Sequence, residues 1–451
     1  MSKSTPLATR ILWGLVIGVV AAVATLGVGH FHPPTLEFMQ DVSSAVFDPF
    51  GQVFLRMLFF VVIPLVFASL ASGVAQLGRL DRLGPLTART FSLFALNMLI
   101  GVAIGLVMMN TLRPGEHMDP QATEQLLAEY GAAENAIPAQ AAQSQLTLST
   151  LVEMFMPRNL VGAVAGQSRN ALGDVLPLIL FAILFGAAAT QLGERHRKLV
   201  LDGLDALAEI MTRIVHFALE LAPYAVPAMI YSVIVKVGLD VLLVLSVFVV
   251  GCALAMALHL FGTMSLWVRF LAGQSPRAFF RKIRPVLVTA FSTSSSNATL
   301  PTALAAANED LKLRPSTSGF VLPLGSTMNM SGTALYEGCV VLFVAQVFGV
   351  HLPLGQQVIL MLLSVLSAVA VAGIPGGSLP LIAGLLATFG VPPEGIGIII
   401  GVDRVLDMMR TTVNVGSDVV TAAVVDRQMR RANPDEPAGV TPPPAATAAV
   451  D

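Results

Sequence analysis

Apolar residues run in long blocks along this chain, and polar residues gather between them. The blocks 11–29, 47–76, 86–110, 200–235 and 241–268 are each long enough to cross a bilayer as a helix, which takes about 20 residues. The block 150–190 is broken at Pro157 and by a Gly/Ala-rich run. The first block follows Lys3 and Arg10, as the core of a signal peptide would. No small-residue cleavage site with a soluble remainder comes after it, so it reads as a retained membrane helix. The block 200–235 opens with Asp202, Asp205, Glu209 and Arg213. Its start reads as an amphipathic turn at headgroup level, with charged pairs four residues apart.

After residue 275 the pattern changes. Residues 277–314 hold two apolar arms around Ser292-Thr293-Ser294-Ser295-Ser296-Asn297. At about 1.5 Å per residue neither arm crosses about 30 Å. Residues 355–390 repeat the plan around Gly373-Ile374-Pro375-Gly376-Gly377-Ser378. Both segments read as re-entrant helical hairpins, with tips that must be buried in protein or face a wet cavity. A long span follows each. The first, 316–350, is interrupted at Gly325 to Thr333; the second, 395–426, carries charge. Ser295 to Asn329 and Gly376 to Arg410 are both 34 residues apart, which points to a duplicated hairpin-plus-span unit. Paired interrupted segments mark the central site of a transporter. A channel filter repeats one loop chemistry, and these two tips differ. The expected fold class is an all-α polytopic membrane protein.

Composition narrows the function classes. Of 451 residues, 55% are hydrophobic and 12% charged, about half the charge of a soluble domain. A formal net charge of -2, from 26 basic and 28 acidic residues, gives no footprint for nucleic acid. Cys252 and Cys339 form no CxxC pair and read as buried thiols, and His259 reads as a neutral structural histidine. The chain carries no Walker motif and no metal-ligand cluster, so it reads as neither an ATP-driven pump nor an enzyme, and no cofactor or resident metal is expected. Basic clusters at Arg79/Arg82/Arg89, Arg195/Arg197/Lys198, Arg277/Arg281/Lys282/Arg284 and Arg427/Arg430/Arg431 place those loops and both termini in the cytoplasm. Glu37, Asp41 and the acidic segment 111–149 then face outside.

The last span holds the strongest chemical signal. Asp403, Asp407, Arg410, Asn414 and Asp418 are spaced by 4, 3, 4 and 4 residues. At about 100° per residue they share one face about 80° wide. Charged groups inside a span are costly and mark function. Arg410 offers a planar fork for a carboxylate, and Asp407 can take an ammonium; together they fit an acidic amino acid. The bland alternative is a structural ion pair between the two. N–H groups at the Ser295–Asn297 tip suit the second carboxylate. Asp418, Asn414 and carbonyls near Asn329 suit a hard cation. Arg404 lies about 100° from Asp403 and reads as snorkelling from the end of the span.

Four motifs give these residues a family look: Thr293-Ser-Ser-Ser-Asn-Ala-Thr-Leu-Pro301, Leu324-Gly-Ser-Thr-Met-Asn-Met-Ser-Gly-Thr-Ala-Leu-Tyr336, Ala372-Gly-Ile-Pro-Gly-Gly377 and Asp403-Arg-Val-Leu-Asp-Met-Met-Arg-Thr-Thr-Val-Asn414 continuing to Asp418. In these the chain resembles the dicarboxylate/amino acid:cation symporters, the glutamate transporter homologues. The resemblance implies eight transmembrane helices, two re-entrant hairpins, inverted repeats and a homotrimer in the plasma (inner) membrane. It implies a scaffold domain at 1–80 and 150–236. An elevator-like transport domain is implied at 84–112 and 240–431, with an extracellular loop at 113–149 and a disordered tail at 432–451. Substrate binding is implied for Ser295, Ser296, Asn297, Thr333, Asp407, Arg410, Thr411 and Asn414, with the gate around Gly376 and Gly377. Thr327, Asn329, Asn414 and Asp418 match cation-site positions. The acidic residue at Asp407 favours glutamate or aspartate over a C4-dicarboxylate.

The chain also departs from that pattern. Sodium-coupled members read Asn-Met-Asp-Gly-Thr where this chain has Asn329-Met330-Ser331-Gly332-Thr333. Phe94, Asn97 and Met98 stand where the same ion site uses an aromatic hydroxyl and a Thr-Ser pair. This sodium site is therefore expected to be lost or weakened. Glu337 lies in an apolar span, where burial favours a neutral carboxyl, and proton-moving relatives often have Glu at this position. The expectation is proton-coupled uptake of acidic amino acids with reduced or absent sodium coupling. Three alternatives stay open: a C4-dicarboxylate symporter, a sodium-coupled aspartate/glutamate symporter, and an anion channel or non-transporting sensor.

Overall fold

The computed structural model describes residues 7–77, 84–118, 156–165, 175–371 and 377–432. Regular structure among them is entirely helical. Among the described residues, six helical stretches are long and apolar enough to cross a membrane: Thr9–Phe31, Pro33–Ala75, Pro85–His117, Glu194–Lys236, Val241–Leu271 and Pro315–Val347. The protein is an all-α polytopic membrane protein.

The first helices form one packed group. α1 (Leu7–Phe31) is followed by α2 (Pro33–Val42), α3 (Asp48–Phe60) and α4 (Val62–Leu77). The block expected at 47–76 is thus two helices that meet at Val61. α5 (Pro85–Leu112) belongs elsewhere, as shown below. α6 (Leu160–Ala165) and α7 (Val175–Thr190) lead to α8 (Glu194–Val237), a 44-residue helix with Pro223 and Pro227 inside it. α1, α3 and α4 all pack along α8. Small residues allow the close approach: a methyl group on Gly18 would lie 2.7 Å from the Pro227 carbonyl oxygen. At the start of α8, Asp205 is not simply a headgroup-level charge, because it accepts a hydrogen bond from Ser72 of α4. Glu209 and Arg213 do pair, at 3.7 Å, on a well-exposed face.

The second group surrounds two long helices. α9 (Asp240–Ala257) continues in wider turns to Leu271. α10 (Pro276–Lys282), α11 (Arg284–Thr293) and α12 (Ser296–Ala305) follow. α11 and α12 are the two short arms read from the sequence. The chain turns between them at Ser294, a buried residue in the left-handed region with φ 50°. α13 (Pro315–Met328) and α14 (Ser331–Val347) form one crossing interrupted at Asn329 and Met330, where the sequence places the break. α15 (Leu354–Ala370) and α16 (Leu379–Thr388) are the next pair of arms. Most of the tip between them, including Gly376, lies outside the described residues, as do residues 119–149 of the loop expected outside and the residues beyond 432.

α17 (Ile396–Ala432) closes the chain as one unbroken 37-residue helix. It is long enough to cross a membrane, but Asp403, Arg404, Asp407, Arg410 and Asp418 lower its apolarity. Those polar groups are tolerated because α17 is surrounded. It packs against α11, α12, α13, α14, α9 and α5. α14 is buried along nearly its whole length and lies between α5 and α17.

Candidate functional site

The break between α13 and α14 sets up the site. Helix starts leave N–H groups without partners in their own helix. Here Asn414 of α17 supplies the acceptor. Its Oδ1 takes hydrogen bonds from Gly332 N at 2.7 Å and Thr333 N at 3.2 Å, and its Nδ2 donates to Thr333 Oγ1 at 3.0 Å. Asn414 therefore caps α14 from a neighbouring helix. Gly332 permits this approach, since a methyl group there would lie 2.8 Å from Val413 Cβ. Thr333, Thr411 and Asn414 are all buried.

One turn further along α17 lies a second polar cluster. Asp418 Oδ1 accepts from Asn329 Nδ2 at 2.8 Å, and Asn329 Oδ1 accepts from Asn97 Nδ2 of α5 at 2.9 Å. Asp418 sits directly on Gly325, where a methyl group would come within 2.5 Å of its Oδ1. Ser417 donates to the Asn414 carbonyl at 2.8 Å, so its oxygen accepts from Ser331, 3.0 Å away. Ser331, Asn97 and Asn329 are fully buried, and Phe94 and Met98 are buried with Asn97 on α5. The structure thus brings Asn97 and Ser331 into the Asp418 cluster as hydrogen-bonding neighbours. It does not bring Thr327 there: that residue is exposed and its hydroxyl donates to the Leu324 carbonyl at 3.0 Å.

Toward the start of α17 lies the charged cluster. Arg410 Nη2 donates to Asp407 Oδ1 at 2.6 Å, and its Nη1 lies 3.6 Å from Asp403 Oδ1. The guanidinium also stands 5.0 Å from the centre of the Tyr336 ring, within cation–π range. The Tyr336 hydroxyl donates to Asp403 Oδ1 at 2.8 Å. Arg404 does not snorkel away. Its Nη1 donates to Asp407 Oδ2 at 3.1 Å, and its side chain is mostly buried. Sequence reasoning assigned no role to Tyr336 or Ser417 and read Arg404 as snorkelling. The i,i+3 spacing of Arg404 and Asp407 was the available signal for Arg404. An aromatic hydroxyl one turn after Thr333 on the same helix was the signal for Tyr336.

Glu337 stands apart. It follows Tyr336 on α14 and is fully buried; among the described residues no close hydrogen bond reaches either carboxyl oxygen, and the Ser367 hydroxyl of α15 is a neighbouring donor. An unpaired carboxylate at such a position is far more costly than a neutral carboxyl.

The first-hairpin residues sit at the start of α12. Ser295 has an extended backbone and its hydroxyl accepts from Ala298 N at 3.2 Å, an N-cap. Ser296 is buried and Asn297 exposed in the first turn. Gly377 is buried just before α16.

Residues 7–428 match the model of the Sodium:dicarboxylate symporter family. The chain is similar to a "Proton/sodium-glutamate symport protein" of Bacillus subtilis, 31% identical over 95% of this chain and 94% of the relative. It is similar to a "Proton/glutamate-aspartate symporter" of Escherichia coli, 28% identical over 93% and 92%. It is similar to a "C4-dicarboxylate transport protein" of Rhodospirillum rubrum, 31% identical over 90% and 86%.

Proposed function

The chain belongs to the sodium:dicarboxylate symporter family, and on that premise we propose that it is a secondary active symporter for acidic amino acids. It is a transporter and not an enzyme. In this reading protons drive uptake and sodium coupling is reduced or absent. The observation that carries the substrate assignment is the pairing of Arg410 and Asp407 at 2.6 Å beside the Asn414–Thr333 cradle. A guanidinium and a carboxylate on adjacent turns match the side-chain carboxylate and the ammonium of aspartate or glutamate. Relatives named for glutamate and aspartate symport support the same class.

The coupling assignment rests on two neighbouring features. Asp418 keeps its carboxylate for the cation site expected around it and Asn414, but Ser331 and Asn97 put neutral groups at a second ion site, where sodium would want a carboxylate. A cation there would lose its hydration with little charge in return. Glu337 is the buried carboxyl available to carry a proton instead. We read the α1–α4 and α7–α8 group as the scaffold of a homotrimer in the cytoplasmic membrane, with both termini inside. The α5 and α9–α17 group is the part that moves like an elevator. The described tip residues Ser295 to Asn297 and Gly377 would close on the substrate.

A C4-dicarboxylate substrate is the second reading. It is favoured by one observation: both oxygens of Asp407 already face arginines. Uptake by Asp407→Asn separates the two. For an acidic amino acid, the variant loses L-aspartate uptake by about tenfold or more, the equivalent of one charge-assisted contact. If the parent protein accumulates succinate rather than aspartate, and the variant keeps that activity, the dicarboxylate reading takes its place.

A further inference from the structure

The two arginines at Asp407 are held very differently. Arg410 has a 2.6 Å hydrogen bond to Asp407, a 3.6 Å ion pair with Asp403 and the Tyr336 ring beside it. Arg404 has one hydrogen bond among the described residues, to Asp407 Oδ2 at 3.1 Å. Each arginine leaves one buried nitrogen without a hydrogen-bond partner among the described residues, Arg404 Nε and Arg410 Nη1, a cost to both. Arg404 is held by one carboxylate and Arg410 by two and a ring, so Arg404 is the more weakly retained of the two. Asp403 and Asp407 carry two negative charges and Arg404 and Arg410 two positive ones. Within this group the charges are matched before any substrate enters.

We propose that Arg404 is a specificity-determining residue that acts as a tethered counter-cation for Asp407 and competes with the substrate ammonium for Asp407 Oδ2. The inference rests on the reading of Asp407 as the ammonium partner. An amino acid brings its own cation. It takes Oδ2, and Arg404 must let go. A dicarboxylate brings no cation, so Arg404 stays and keeps Asp407 from repelling the dianion. The same side chain therefore works against one substrate class and for the other. Selectivity can come from such a repulsive element as much as from an attractive one. A structural arginine would shift both substrates in the same direction.

The test is equilibrium binding of L-aspartate and of succinate to the purified full-length protein, with Arg404→Gln and Arg404→Lys beside the parent. Arg404→Gln tightens L-aspartate and weakens succinate, each by about fivefold, the low end of inter-site coupling. Arg404→Lys keeps the charge and holds the ratio of the two affinities within about twofold of the parent, less than about half a kcal/mol. An unchanged ratio in Arg404→Gln overturns the proposal, whatever happens to the absolute affinities. A second measurement is independent of any substrate. In a double-mutant cycle on the thermal stability of the empty protein, Arg404→Gln and Asp407→Asn are less than additive if the pair is real. Additive losses also overturn the proposal. Failure of the substrate reading looks different: the cycle shows coupling, but the parent binds succinate and not L-aspartate.

Discussion

Gly332 of α14 lies flush against the Arg410 backbone, so that a methyl group on Gly332 would overlap the Arg410 carbonyl oxygen. This contact lets the Gly332 and Thr333 N–H groups reach Asn414 while Arg410, one turn away on α17, faces Asp407. The proposed substrate cradle therefore depends on how closely two helices approach.

Gly332→Ala tests that dependence. Overpacking typically costs about 1–3 kcal/mol. Here it also separates Asn414 from the start of α14. The expected result is a clear loss of thermal stability and of substrate binding. Gly319, in α13, is the control, since nothing lies within 4 Å of a methyl group placed there. Gly319→Ala is expected to stabilise by up to about 1 kcal/mol through helix propensity. Equal behaviour of the two variants in a melting assay would count against the close-approach account.

Glu337→Gln tests the proton assignment. Glutamine keeps the shape of a neutral carboxyl but releases no proton. In the parent, proton-driven uptake falls as external pH rises. In the variant, the pH profile is flat while exchange of internal for external substrate persists. An unchanged pH profile removes Glu337 as the carrier.

Arg314 and Asp426 test the packing at the far end of α17. Arg314 Nε donates to Asp426 Oδ1 at 2.9 Å, and Arg430 Nε donates to Oδ2 at 2.6 Å. Both members of the Arg314–Asp426 pair are nearly fully buried. Removing one partner of a buried pair costs about 3–5 kcal/mol when the other charge is left alone; here Arg430 still holds Asp426. Arg314→Met alone is therefore expected to destabilise by less than that range. Adding Asp426→Leu to it recovers part of the loss, and no recovery would mean that the pair is not the source.

Much of this was legible in the sequence because it is local. The polar stripe of α17 follows from residues three and four apart on one helix. The break at Asn329 and Met330 follows from a run of small and polar residues inside an apolar span. The turn at Ser294 follows from two arms too short to cross. What the sequence hid was long-range. Arg314 bonds to Asp426 across 112 residues, and only the family resemblance, not the pattern of the chain, put Asn97 at the ion site of Ser331, where it bonds to Asn329 across 232 residues. No periodicity links such positions. Arg404 was misread for a different reason. Its Cα lies off the polar face, but a long side chain reaches forward one turn to Asp407. Asp205 likewise looked like a headgroup-level charge until α4 placed Ser72 beside it.

The most direct test of the account is accumulation of radiolabelled L-aspartate in proteoliposomes. One arm has only an inward proton gradient, and the other only an inward sodium gradient at matched pH, with the membrane potential clamped equally. The account predicts accumulation in the proton arm and little or none in the sodium arm. Accumulation that requires sodium would contradict it, and would mean that Ser331 and Asn97 leave a working sodium-driven carrier.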